Sequence, residues 1–400
     1  MAGPGWYLIG EEERREVEDV LNTGYVYRYG TADNPAFTRK VFTLQQEFAR
    51  VIGVKHCVAV SGGTGALMAS LVALGIGAGD EILIPGYTFV ASIGAALLVG
   101  ATPVLVEMDQ SFTMDPVDLE QKITAKTKAI MPVHILGNPC DMDAIMSIAQ
   151  KYRLMVIEDC CQALGASYKG RRVGSFGDTG AFSLNIYKTI TSGCGGLLTT
   201  NNTTLYERAF GFQDQGHSPF EMKTQRREGA FIGMNLQMNE LTGAFALGQL
   251  KKLETILRQL KEKKTRLKQA IMAGNIRQMD FRTINDPDEC HTLLVVIFQD
   301  AAAASRIAKA LGTTTVQESG WHVYSNMDQI LNYTDAAGKH PYSKNMLPRT
   351  DDLLNRSIAL SVGVVDPGLG AAFGINILSS EDEIDQTAEQ FVKVVKSVVD

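Results

Sequence analysis

The sequence predicts an α/β protein: a mostly parallel seven-stranded sheet with helices on both faces, followed by a smaller α+β C-terminal domain. Three observations predict it. Between residues 56 and 200, short apolar runs alternate with segments whose apolar residues recur every three or four positions, the pattern of repeated strand–helix–strand units. At 400 residues the chain is longer than one hydrophobic core usually serves. After residue 240 the texture changes to long amphipathic stretches.

The strands expected, in order, are "HCVAV" (56–60), "EILIP" (81–85), "PVLVE" (103–107), "AIMPV" (129–133), "LMVIE" (154–158), "GAFSL" (180–184) and "GLLTT" (196–200). Helix-period segments such as "GALMASLVALG", "TFVASIGAALLVG" and "DMDAIMSIAQKYR" lie between the earlier ones. Residues 239–272 read as one long amphipathic pattern bridging to the second unit, which divides the chain at 1–250 and 251–400. That unit carries the strand "HTLLVVIF", the helix "AAAASRIAKALG" and a C-terminal helix opened by the cap-like "SEDE". The stretch 320–350 is polar and aromatic without period, and reads as an ordered loop region beside a site.

Composition removes several function classes. A net charge of −6 and a pI near 5.6 offer no basic face for nucleic acid. The most basic stretch, 251–269, interleaves Glu254 and Glu262 at helical spacing and reads as a solvated helix face. No apolar run reaches the ~18 residues of a membrane span, and the opening residues lack a charged-then-apolar leader. The expectation is a cytoplasmic protein with no membrane partner. Six cysteines without a CxxC read as reduced, mostly buried thiols, and six histidines form no HxxxH or HExxH pair. No dedicated metal site is expected.

In a parallel sheet, ligands bind beyond the carboxyl ends of the strands, so the chemistry should follow the strands. "VSGGTGALMASL" (60–71) is a strand, a glycine-rich turn and a helix start; the N–H groups of Gly63 and Thr64 suit a phosphate. "MVIEDCCQALGA" (155–166) ends a buried strand in Glu158 and Asp159, with Gln162 on the next turn. Such an acid is either a structural cap or salt bridge, or a carboxylate aimed at a cationic ring nitrogen. "FSLNIYKTITSGCGGLL" (182–198) ends a strand at Ser183 and places Lys188 over the same sheet edge. "PGYTFVAS" (85–92) offers Phe89 or Tyr87 as an aromatic cover. An anion cradle, an acid and a lysine on one edge are what pyridoxal 5'-phosphate requires: a phosphate site, a partner for the pyridine nitrogen and a Schiff-base amine. The protonated ring is the electron sink for a substrate carbanion, and the freed lysine carries the proton.

These stretches, with "GDEILIPGYTFVAS", "VGSFGDTGAFSL" and "GMNLQMNELTGAFALGQLKKLE", resemble the DegT–StrS aminotransferases, fold-type I pyridoxal-phosphate enzymes acting mostly on nucleotide-linked keto sugars. The resemblance runs through residues 7–270. It implies Lys188 as the Schiff-base lysine, Asp159 as the pyridinium partner and Gln162 beside the ring oxygen. It further implies Gly63, Thr64 and Ser183 on the phosphate, and Phe89 as the stacking aromatic. Asn235 matches an asparagine that reaches the phosphate from a neighbouring subunit, which implies a homodimer with a shared site. "GWYLIGEEERREVEDVL", "YVYRYG", "KTITSG" and "GWHVYSNM" look closest to the 8-amino-3,8-dideoxy-manno-octulosonate aminotransferases. The donor so implied is glutamate or glutamine, and the acceptor a keto or aldehyde sugar.

Three positions depart from the family pattern. Cys194 stands where an acid is usual, Gln237 where many members have arginine, and Gly65 where alanine is usual. Cys194 and Gln237 either replace the two halves of one ion pair or mark different chemistry. A second reading therefore stays open, a pyridoxal-phosphate lyase, dehydratase or carbon–carbon bond former. A third, a regulator that binds the cofactor without turnover, has no sequence feature behind it.

Overall fold

Seven strands build the central sheet, and a two-residue hairpin interrupts their sequence. They are β1 His56–Val60, β2 Glu81–Pro85, β3 Thr102–Val106, β4 Thr127–Ile130 and β5 Met155–Asp159. The hairpin pairs β6 Ser167–Tyr168 with β7 Arg171–Arg172, and β8 Thr179–Ser183 and β9 Gly196–Thr200 complete the set. The spatial order is β1-β9-β8-β5-β4-β2-β3, with β9 alone antiparallel to its neighbours. This computed structural model describes residues 2–31, 33–217, 232–335 and 337–399.

Period-two alternation sends the two sides of each strand to different cores. Val58, Val60, Ile82, Ile84 and Ile157 face a core shared with Ala66 and Leu67 of the helix Gly63–Ala73. Cys57, Ala59, Phe182 and Leu197 face another, shared with Val41, Leu44 and Phe48 of the helix Lys40–Ile52. Phe48 and Phe182 meet edge-on at 4.9 Å between centroids, and each such buried ring stabilises the fold by about 1.5–3 kcal/mol. A sheet buried on both faces explains why its strands read as near-continuous apolar runs.

A second sheet follows, with β10 Met279–Phe281, β11 Leu293–Phe298 and β12 Ser357–Ser361 in antiparallel order. The helix Ala301–Ala310 packs on it, and the helix Glu381–Val399 packs against that helix and against Leu253–Ala273. The expected cap of the last helix is present as a reciprocal pair: Ser380 N–H donates to Glu383 at 2.7 Å, and Glu383 N–H donates to Ser380 Oγ at 3.2 Å. Among the described residues no helix is long and apolar enough to cross a membrane.

Two expectations need correction. The pattern over 239–272 is two helices, Glu240–Leu250 and Leu253–Ala273. The first is buried almost all round: a Cβ on Gly243 would lie 2.6 Å from Val41 and one on Gly248 2.8 Å from Glu13. The second buries one stripe, including Leu253, Ile256, Leu260 and Ile271. The chain re-aims between them, where Lys252 Nζ donates to Leu8 O at 2.7 Å. Nor is the basic face wholly solvated. Lys264 lies on the buried stripe, paired with Glu289, which Arg282 also contacts at 3.2 Å. Burial lowers the Lys264 pKa to about 8 against the pull of Glu289.

Candidate active site

A cavity of about 640 Å³ opens where the parallel strands end. After β1 the chain turns through Ser61–Gly62 and starts the helix at Gly63 with no side-chain cap, so its first N–H groups point outward unclaimed. The turn is tight. A Cβ on Gly63 would lie 2.9 Å from Ser183 Cβ and 3.0 Å from Cys161 Sγ, and one on Gly196 2.4 Å from the Gly62 backbone. Gly63, Thr64 and Ser183 therefore line one wall together.

The two acids closing β5 part company, because adjacent residues of a strand face opposite sides. Glu158 is buried and receives the Gly174, Phe176 and Gly177 N–H groups at 2.7–2.8 Å, with His134 Nε2 at 3.2 Å. His134 Nδ1 accepts the Cys140 N–H at 2.9 Å, so Nε2 carries the proton. His134, Glu158 and Cys160 cluster closely enough to hold a metal, but the ring nitrogens and both carboxylate oxygens are already engaged in this network. Asp159 instead faces the cavity. Its Oδ1 accepts the Cys161 N–H at 3.0 Å and its Oδ2 the Ser92 hydroxyl at 2.7 Å.

Lys188 sits in the loop after β8, which is pinned from behind. Its N–H donates to Asn185 O, Gly3 N–H donates to Ile186 O, and Thr191 N–H donates to the buried Gln249 amide. A Cβ on Gly3 would strike the Tyr187 carbonyl at 2.3 Å, so the segment from Ala2 lies directly against the lysine turn. The Lys188 amine makes no hydrogen bond or ion pair with a described residue. Burial lowers its pKa, against the fields of Cys161, Asp159 and Asp366.

Of the two aromatics, Phe89 is the cavity wall, 36% exposed and 5.1 Å from the His322 ring. Tyr87 is fully buried against Phe112. Gln162 lines the cavity with its Oε1 on the Leu136 N–H at 3.1 Å and its buried Nε2 without a partner among the described residues. Asn235 lies apart, exposed on the surface and bridged to Asp214. Gln237 donates to Asp214, whereas Cys194 lines the cavity, so different surroundings hold these two positions. A Cβ on Gly65 would meet only Leu236 at 3.4 Å, room for the usual alanine. Lining residues that the sequence did not mark as site residues include Ser92, Trp321, His322 and Asp366. Of the other polar aromatic side chains in 320–350, Tyr324 is buried with its hydroxyl on Asp351 and His340 is exposed.

These groups fit pyridoxal phosphate. The uncapped helix start offers N–H donors to a phosphate, Asp159 an oriented carboxylate, Gln162 an unspent donor, and Lys188 an amine whose pKa burial lowers. The aminotransferase family DegT/DnrJ/EryC1/StrS matches residues 8–365. The chain belongs to that family. As a DegT/DnrJ/EryC1/StrS member it is 40% identical over 243 residues to a GDP-perosamine synthase of Caulobacter vibrioides, covering 60% of this chain and 62% of that protein. Among solved structures it superposes on an aminotransferase from Psychrobacter cryohalolentis with a TM-score of 0.82 at 29% identity, covering all of both chains. A 3-amino-5-hydroxybenzoic acid synthase gives 0.83 at 25%, covering 99% of this chain and 100% of that one.

Proposed function

We propose that this chain is a pyridoxal-phosphate-dependent aminotransferase that moves an amino group from glutamate or glutamine to a keto or aldehyde sugar. One observation carries the reading: Asp159, Lys188 and the Gly63–Thr64 turn, each after a different strand, meet in one cavity. Bound there, the cofactor would supply an electron sink for the carbon that loses its proton.

The chain's own residues would divide the work. Asp159, held by Ser92 and Cys161, keeps the ring nitrogen protonated. Lys188 would hold the cofactor aldehyde and, once displaced, carry the proton. Phe89 stacks on the ring, Gln162 donates to its oxygen, and Gly63, Thr64 and Ser183 hold the phosphate. Asn235 would reach the phosphate of a second copy, and exposed Val26, Tyr27 and Met234 support a homodimer. We take 1–250 as the cofactor-binding domain and 251–400 as the small domain. For the acceptor, the C8 aldehyde of a 3-deoxy-octulosonate and a nucleotide-linked keto sugar are the two candidates.

Cys194, exposed on the cavity wall, favours one alternative, another reaction class of the same cofactor. The amine half-reaction separates them. Glutamate or glutamine added to the cofactor-loaded protein should release the matching keto acid in equal amount while the cofactor passes to its amine form. A loaded protein that neither donor converts would overturn the proposal.

A further inference from the structure

We propose that Asp366 selects the amine acceptor by accepting a hydrogen bond from a hydroxyl carried next to the reacting carbonyl, an inference that rests on the aminotransferase reading. Asp366 stands in the loop that follows the last strand of the second sheet and lines the cavity.

Its loop is built to hold a side chain still. The backbones of Asp366 and Ala371 exchange hydrogen bonds at 3.2 and 3.0 Å, and Val365 N–H donates to Ala2 O at 3.2 Å. Gly370 adopts a left-handed φ of 69°, and Thr313 Oγ1 donates to its carbonyl at 2.8 Å. Asp366 Oδ1 accepts the Gly368 N–H at 2.8 Å. Oδ2 has no hydrogen-bond partner among the described residues.

That oxygen belongs to a side chain lining the cavity of Lys188, without ion-pairing to it. Val364, Leu369 and Leu293 line the same cavity. Asp366 is half-buried, so water can satisfy this oxygen, and a ligand that displaces the water must bring a donor in its place. Burial raises the Asp366 pKa while the Lys188 field opposes that rise, so each group feels the other across the cavity. The acceptor's carbonyl must come to the cofactor held at Lys188, which puts its neighbouring substituents before Asp366. A hydroxyl donates well to a carboxylate. A phosphate or carboxylate of the acceptor would be repelled there and must lie elsewhere. The acceptor class is thus a carbonyl compound with a free hydroxyl close to the carbonyl and its anionic groups remote.

The test loads the protein with pyridoxamine phosphate, so no donor is needed, and follows the return of the aldehyde-form spectrum with two probes. Glyceraldehyde carries the adjacent hydroxyl; propanal does not. Wild type should prefer glyceraldehyde by on the order of tenfold in second-order rate, and Asp366→Ala should bring the ratio towards one. Asp366→Asn keeps its oxygen on Gly368 and turns an amide to the cavity, so the ratio should fall with the melting temperature unchanged. An equal response in wild type, or a preference kept by both variants, would overturn the proposal and leave the aminotransferase reading intact. A loaded protein that neither probe converts would overturn both.

Discussion

The Ser92 hydroxyl donates to Asp159 Oδ2 at 2.7 Å, and Thr88 Oγ1 stands 2.6 Å from that hydroxyl. Ser92 has one proton to give, so Thr88 must donate in turn, and a two-hydroxyl relay aims the carboxylate. Hydrogen bonds to charged groups contribute about 1.5–3 kcal/mol. Ser92→Ala should therefore leave the fold intact and weaken pyridoxal phosphate binding by on the order of tenfold. Titration of the apoprotein with the cofactor measures this, and an unchanged affinity would show that Asp159 needs no such support.

Gly63→Ala tests the cradle. Its Cβ would press on Ser183 and Cys161 at 2.9–3.0 Å, and the wall that must give way is the one assigned to the phosphate. Cofactor affinity should fall further than global stability. Gly65→Ala, with only the 3.4 Å contact to Leu236, should change little in the same titration.

Glu158→Gln should act on stability rather than chemistry. Every group bonded to its two oxygens is a donor, so an amide nitrogen must face donors in a buried site. Breaking such an arrangement costs about 3 kcal/mol or more, readable as a lower urea midpoint. A chelator should leave that midpoint where it was in wild type. A large chelator effect would instead assign a metal to His134, Glu158 and Cys160.

Stability should fall on the acid side. Burial lowers the His291 pKa from 6.5 to about 4, only partly opposed by Glu289, and that of His322 to about 3. Between those values and 6.5 the unfolded chain binds protons that the folded chain refuses. Stability therefore rises with pH through the window and is lost as pH falls. His291 alone is worth up to about 3 kcal/mol across it. Urea midpoints followed through the window should flatten in His291→Gln. An unchanged slope would mean that His291 charges freely in the native protein.

Much of the site was legible because its residues stand at the ends of apolar runs. Asp159 closes "MVIED", Ser183 closes "TGAFS" and Gly63 follows "HCVAV", so period and punctuation located them. Period and punctuation alone did not separate the members of a pair; the family resemblance singled out Asp159 and Phe89. Asp159 and Glu158 face opposite sides of β5, whereas Tyr87 is buried against Phe112 and Phe89 stays on the cavity wall. His322 and Asp366 come from segments more than a hundred residues beyond Lys188, brought to it by the folding back of the second sheet. No local pattern encodes that return. Lys264 misled for a related reason: a lysine among lysines reads as solvated until Glu289 arrives from another segment.

The central claim is that Lys188 holds the aldehyde of pyridoxal phosphate. The most direct measurement is the absorbance spectrum of the purified protein after addition of pyridoxal phosphate and removal of the excess, beside Lys188→Ala treated identically. The account predicts a retained visible band in wild type, discharged by borohydride into a covalent adduct at Lys188, and no such adduct in the variant. A wild-type protein that retains no band, or a variant that shows the same band and the same adduct mass, would contradict it.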